Sequence, residues 1–251
     1  MKLLLKLITH IVRVWKYLIR EIPDPDPSTP QDGGDSEESG ENPEQAKHKP
    51  RFFWIYEPGH GEDTEGKRSP VMEDGDQFFE YQFNRAVLHM LSPLLAEAGL
   101  AFEITVKGQS DVELKERVER ANALAVNSEL PAIFVSIHAN ALGKGHKWEN
   151  NARGVEVWHS KNSLKGKYIA SVFQRHIVNE TGMIDRKIKE KPKGEKDFFV
   201  LRFTTMPAVL TENGFFTHED EVQDLMDPSF QKQIAIAHFK AMMEIERTGV
   251  I

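Results

Sequence analysis

Two histidines and two glutamates in this sequence are placed to hold an ion and move a proton together. His60 lies in Glu57-Pro58-Gly59-His60-Gly61, and His138 in Ser136-Ile137-His138-Ala139-Asn140. Glu212 lies in Thr211-Glu212-Asn213-Gly214-Phe215-Phe216. Each follows an apolar run that reads as a buried strand. Glu80, in Gln77-Phe78-Phe79-Glu80-Tyr81, opens a helical pattern roughly one loop after His60. The helix dipole favours a carboxylate there. A catalytic zinc commonly takes three protein ligands and keeps a fourth position for water. The chain has no cysteine, so such an ion must rest on His, Asp or Glu. His60 and His138 are the natural imidazole ligands and Glu80 is a candidate third. Glu212, followed by Asn-Gly, suits a tight turn beside the metal, where it would transfer a proton. Taken singly, these residues read as a strand-to-loop turn, a core histidine, a helix-start carboxylate and a solvated turn. Together they fit one hydrolytic geometry.

The elements that must position them follow from Arg51 onward, where short apolar runs alternate with helical patterns. Strands are expected at Phe52–Tyr56, Phe102–Val106, Ala132–Ile137, Gly154–His159 and Ala208–Thr211, with a short one at Phe198–Leu201. Helices are expected over Gln77–Ala98, Val112–Asn127, Lys165–Glu180, Glu219–Met226 and Ser229–Arg247. This alternation implies an α/β fold: a mostly parallel central sheet with helices on both faces. In such sheets ligands bind beyond the carboxyl ends of the strands, where His60, His138 and Glu212 fall. The remaining histidines sit in helix patterns, polar loops or the N-terminal region. His159 and His218 flank ordered elements.

At 251 residues the chain is long enough for one sizeable catalytic domain, residues 51–251. A net charge of −7 argues against a nucleic-acid partner. Residues 1–22 form a separate segment. Leu4, Ile8, Ile11, Trp15, Leu18 and Ile22 recur at helical spacing. Lys2, Lys6, Arg13, Lys16 and Arg20 fall in a band about 80° wide. A basic amphipathic helix over 3–22 suits an anionic membrane surface or a protein partner. Its charges make it a poor signal peptide and a poor transmembrane span. Residues 23–50 are rich in Pro, Gly, Ser, Asp and Glu, a composition expected to form a disordered tether.

The domain from about 51 to 249 resembles the zinc-dependent N-acetylmuramoyl-L-alanine amidases of the amidase 3 type. The segments that carry the likeness occur in family order. They are Glu57-Pro-Gly-His-Gly61, Glu80, Leu114-x-x-Arg117-x-x-x-Ala121-Asn122, Ser136-Ile-His-Ala-Asn140, Gly154-Val-Glu-Val157 and Pro207-Ala-Val-Leu-Thr-Glu-Asn-Gly-Phe215. The resemblance implies a sheet of about six strands and one Zn2+ held by His60, Glu80 and His138. It implies Glu212 as catalytic carboxylate and peptidoglycan as substrate, cut between N-acetylmuramic acid and L-alanine of the stem peptide. Asn140, Asn213 and Arg186 are candidate contacts to substrate or to the ligands. The chain departs from the family pattern in three places. Glu57 stands where Asp is usual, Val106-Lys107-Gly108 replaces a Thr-Arg, and Arg186-Lys187 replaces an Arg-Gly. The stretch 141–153 is too short and polar for the zinc-blocking helix of division-associated members, so an open site is expected.

Action at the bacterial cell wall or periplasm follows. With no clear cleavable signal, membrane association or delivery by a phage or particle, as for an endolysin, fits the chain. Two other readings stand beside it: a zinc peptidase cutting within the stem peptide, and a structural or wall-binding component of a phage or injection particle.

Overall fold

The structure, a computed structural model, describes residues 49–249. The amphipathic helix expected over 3–22 and nearly all of the tether expected over 23–50 lie outside the described residues. Six strands, β1 (Phe53–Pro58), β2 (Ala101–Ile104), β3 (Ala132–Asn140), β4 (Val155–His159), β5 (Asp185–Lys189) and β6 (Ala208–Phe215), form one sheet. Their order is β2-β1-β3-β6-β4-β5. The described helices are α1 (Glu80–Glu97), α2 (Leu114–Val126), α3 (Leu164–Thr181), α4 (Phe199–Phe203), α5 (Glu219–Met226) and α6 (Pro228–Thr248). All strand pairs are parallel except β4 with β6. Parallel neighbours need long crossovers, which the helices supply.

The alternation of side chains sorts the core into two layers. Trp54, Tyr56, Ile133, Val135, Ile137, Val157 and Val209 face one side, where Leu91 of α1, Phe173 of α3 and Met242 of α6 cover them. Ile55, Phe134 and Leu210 face the other, against Val118 and Ala121 of α2 and Val200 and Leu201 of α4. β3 is therefore buried on both faces, which is why Ala132–Ile137 is an uninterrupted apolar run. Helix ends follow local chemistry. Asp227 caps α6 by accepting from the Ser229 N–H, with Pro228 in the first turn, and Gly249 closes it in the left-handed region.

Three expectations are corrected. Phe198–Leu201 is not a strand: Phe199–Phe203 forms α4, with Trp158 edge-on to Phe198 at 5.2 Å. A four-residue apolar run carries no period long enough to separate the two. The sixth strand is instead β5, Asp-Arg-Lys-Ile-Lys, whose charged composition suits an edge. β3 and β6 also run on to Asn140 and Phe215, so His138 and Glu212 lie within strands rather than past them. Past Ile137 and Glu212 these polar ends pair only with each other, and side chains serve the backbone on their outer edges: Glu80 accepts from the Ala139 N–H, Asn213 donates to the His138 carbonyl and Glu221 accepts from the Phe215 N–H.

Candidate active site

The register places the chemistry in one row. His138 of β3 pairs with Glu212 of β6, and Glu212 pairs on its other side with Glu156 of β4. Side chains in such a row share a face of the sheet. Immediately after Glu212, Asn213 and Gly214 together oppose the single Ala139, a bulge in β6. Gly214 has φ 121°, and buried Glu221 of α5 holds the bulge by accepting from the Phe215 and Gly154 N–H groups at 2.8 and 2.6 Å.

His60 arrives from β1 on a loop clamped by helix side chains. Its φ of 61° is unusual for a non-glycine residue. Arg117 of α2 donates to the Pro58 and His60 carbonyls at 2.8 and 3.1 Å. Asn84 and Arg85 of α1 donate to the Gly59 and His60 carbonyls, each at 3.0 Å. Arg117 is itself buried and paired with buried Glu57, which also accepts from the Ser136 hydroxyl. Glu57 thus anchors the loop through Arg117, with an oxygen 3.9 Å from His138 Nε2. Gly59 must be glycine: a Cβ there would lie 2.0 Å from His138 Cε1.

Glu80, the first residue of α1, reaches both imidazoles from a buried position. Its Oε1 lies 2.9 Å from His138 Nδ1 and accepts from the Ala139 N–H at 3.2 Å. Its Oε2 lies 3.5 Å from His60 Nε2 and 3.8 Å from Lys67 Nζ. The two rings are edge-to-face with centroids 4.8 Å apart. One donor atom from each of His60, Glu80 and His138 falls within 4.8 Å of the others. Burial above all lowers His60 to about 3, so its ring is neutral and its lone pair free to ligate. Burial would raise Glu80, but the neighbouring imidazoles and Lys67 outweigh it and keep the carboxylate ionised. Burial raises Glu212 to about 8, with His138 and Lys67 opposing and Glu80 adding.

The other expected contacts are distributed as follows. Asn213 is buried, and its amide donates to the His138 carbonyl at 3.0 Å and to Thr211 Oγ1 at 3.1 Å. Asn140 donates to Glu156 Oε1 at 3.0 Å. Arg186 donates through Nε to Glu156 Oε2 at 2.7 Å and lies over the Phe215 ring at 4.7 Å. Asn140 and Arg186 therefore meet on Glu156, a residue to which the sequence reading gave no role. Lys67 and Glu221 were missed as well. The loop 141–154 between β3 and β4 contains no helix, and both histidine side chains retain some exposure, 19% for His60 and 13% for His138.

A His–Glu–His cluster beside a half-buried second glutamate, at the carboxyl edge of an α/β sheet, is a donor set able to hold a metal ion with a carboxylate at its side. The chain belongs to the Amidase_3 family, described as N-acetylmuramoyl-L-alanine amidase, whose model matches residues 55–244. It is 31% identical over 204 residues to the endolysin of Bacillus phage SPP1, covering 78% of this chain and 66% of the endolysin. It is 28% identical to the catalytic domain of CwlV, an N-acetylmuramoyl-L-alanine amidase from Bacillus (Paenibacillus) polymyxa var. colistinus, at TM-score 0.61. That match covers 79% of this chain and 99% of the CwlV domain. The structure of an N-acetylmuramoyl-L-alanine amidase from Clostridium difficile 630 matches at 25% identity and TM-score 0.64, covering 78% of this chain and 97% of that one.

Proposed function

We propose that the protein is a peptidoglycan hydrolase that cleaves the amide between N-acetylmuramic acid and the L-alanine of the stem peptide. One zinc ion is held by His60, Glu80 and His138, and Glu212 moves the proton. The observation that carries this reading is the donor set at the end of the sheet, where His60, Glu80 and His138 converge. Glu80 Oε2 is buried and accepts no hydrogen bond, as is Glu212 Oε2, although a buried carboxylate oxygen ordinarily finds a partner. Two neutral-capable imidazoles and one ionised carboxylate, with no thiolate, suit zinc in a hydrolytic site.

A zinc ion bound there would lower the pKa of water toward ~7 and polarise a carbonyl. The chain's own groups supply the rest. Glu80 and Asn213 fix His138, the first from its ring nitrogen and the second from its carbonyl. The clamp on the 58–60 carbonyls fixes His60. Glu212, next to His138 in the row, takes a proton from the attacking water. It returns that proton to the L-alanine nitrogen, which leaves poorly as an unprotonated amine. A dication in the cluster would favour the ionised form of Glu212 that this first transfer needs. Glu212→Gln is expected to retain zinc and to lose activity by about 10²–10⁴-fold. Near-normal turnover in that variant with zinc bound would overturn the role.

The substrate sets action at the bacterial cell wall. The basic amphipathic segment 3–22 targets the enzyme to an anionic membrane or a partner protein. Co-sedimentation of the full chain with anionic vesicles tests the membrane option. Among the described residues no helix is long and apolar enough to cross a membrane.

A further inference from the structure

Glu156 is 3% exposed, yet four donors converge on its carboxylate. Asn140 Nδ2 and Trp158 Nε1 donate to Oε1, each at 3.0 Å. Arg186 Nε donates to Oε2 at 2.7 Å, and Lys189 Nζ lies 2.9 Å from the same oxygen. One negative charge thus draws two cations onto the face of β4 and β5, beside the catalytic row. A third cation stands next to them. Lys191 Nζ lies over the Phe198 ring at 4.1 Å and over the Trp158 ring at 4.7 Å. Among the described residues, no carboxylate pairs with Lys191. Arg186, Lys189 and Lys191 against Glu156 leave two positive charges in surplus, in a chain whose net charge is −7. A half-buried ammonium held by two aromatic faces keeps its attraction for an anion while losing part of its hydration.

We propose that Lys191, seated on Trp158 and Phe198 and backed by Lys189, binds a free carboxylate of the stem peptide and so selects substrates whose second residue carries one. This rests on the amidase reading above. The position suits the substrate. Trp158 follows Glu156, the register partner of Glu212, by two residues along β4, or about 7 Å. Two residues of extended peptide span about 7 Å. A chain running from the cleaved amide across β4 therefore brings its second residue within the reach of a lysine.

The test uses the full zinc-loaded chain and two muramoyl dipeptides that differ only in a free carboxylate or a carboxamide on the second residue. Wild type is expected to favour the carboxylate about tenfold in KM, the scale of one charge-assisted contact. In Lys191→Met the preference is expected to shrink to within about twofold, and Lys191→Arg is expected to keep it. Lys193→Met, on an exposed lysine outside the site, is expected to keep it too. Calorimetric titration with the free dipeptide reads the same contact without turnover: Lys191→Met should weaken binding about tenfold. Equal KM values for the two substrates in wild type, or an unchanged preference in Lys191→Met, would overturn the inference while leaving the amidase reading intact. Glycerol phosphate binding as tightly as the dipeptide would also overturn it, pointing to a phosphodiester wall polymer. Cleavage of neither substrate at the muramoyl amide by wild type would overturn the amidase reading and this inference together.

Discussion

Gly59→Ala is the sharpest test of how the backbone builds the proposed metal centre. A Cβ at residue 59 would lie 2.0, 2.4 and 2.5 Å from Cε1, Nε2 and Nδ1 of His138. Carbon contacts settle near 3.5 Å, so the ring must retreat by about 1.5 Å. The Gly59 backbone has little room to give instead: its N–H donates to the Ile137 carbonyl at 3.0 Å, and its carbonyl accepts from Asn84. Metal–ligand distances tolerate only about 0.2 Å. A shift several times larger removes His138 from the donor set. Loss of an orienting partner alone typically costs 10–100-fold in affinity. Displacing a ligand should reach or pass the upper end, about 100-fold, or about 2.7 kcal/mol. The assay is zinc titration against a competing chelator, with circular dichroism confirming the fold. Gly108→Ala is the control, because a Cβ there meets nothing within 4 Å; it should change affinity by less than about twofold and stability by less than about 0.5 kcal/mol. A folded Gly59→Ala protein that binds zinc within about threefold of wild type would refute the reasoning, since a ligand ring displaced that far cannot keep its metal.

Two further outcomes concern stability. His238 of α6 is fully buried beside Tyr56, and burial lowers it to about 3. The unfolded chain, with an ordinary value of about 6.5, binds a proton there first, so stability falls as pH drops from about 6.5 toward about 3. At pH 4.5 the deficit from this group is about 2.7 kcal/mol; urea unfolding at pH 7 and 4.5 should show His238→Leu losing less stability than wild type by about that amount, and equal losses would contradict it. Arg117→Met strips a buried cation from Glu57 and leaves the Pro58 carbonyl without its donor. Unfolding at neutral pH should report a loss of about 3–5 kcal/mol, and a loss under about 1 kcal/mol would show the clamp to be dispensable.

Much of this was legible in the residues. β3 could be read because a strand covered on both faces must be apolar throughout, and Pro-Gly-His-Gly after a strand points its histidine at the sheet's carboxyl edge. The edge strand β5 could not be read: one face and one edge are open to water, so Asp-Arg-Lys-Ile-Lys carries a single apolar residue. α4 was misread because four apolar residues fit either period. Glu156 and Arg117 belong to segments that the family resemblance carries, but their roles depend on partners brought from elsewhere. Arg186 and Lys189 come from β5, and Glu57 lies 60 residues before Arg117. A glutamate between two valines otherwise reads as the solvated side of a strand. The exact row His138–Glu212–Glu156 is a matter of register, which the sequence of any one strand does not contain.

The central claim is tested most directly by mass spectrometry of purified peptidoglycan digested by the full chain, with zinc, with chelator, and with Glu212→Ala in zinc. The expected result is release of intact stem peptides beginning at L-alanine, dependent on zinc and absent in the variant. Shorter peptides, with L-alanine left on muramic acid, would contradict it and identify a peptidase; release that persists in Glu212→Ala would contradict the role proposed for Glu212.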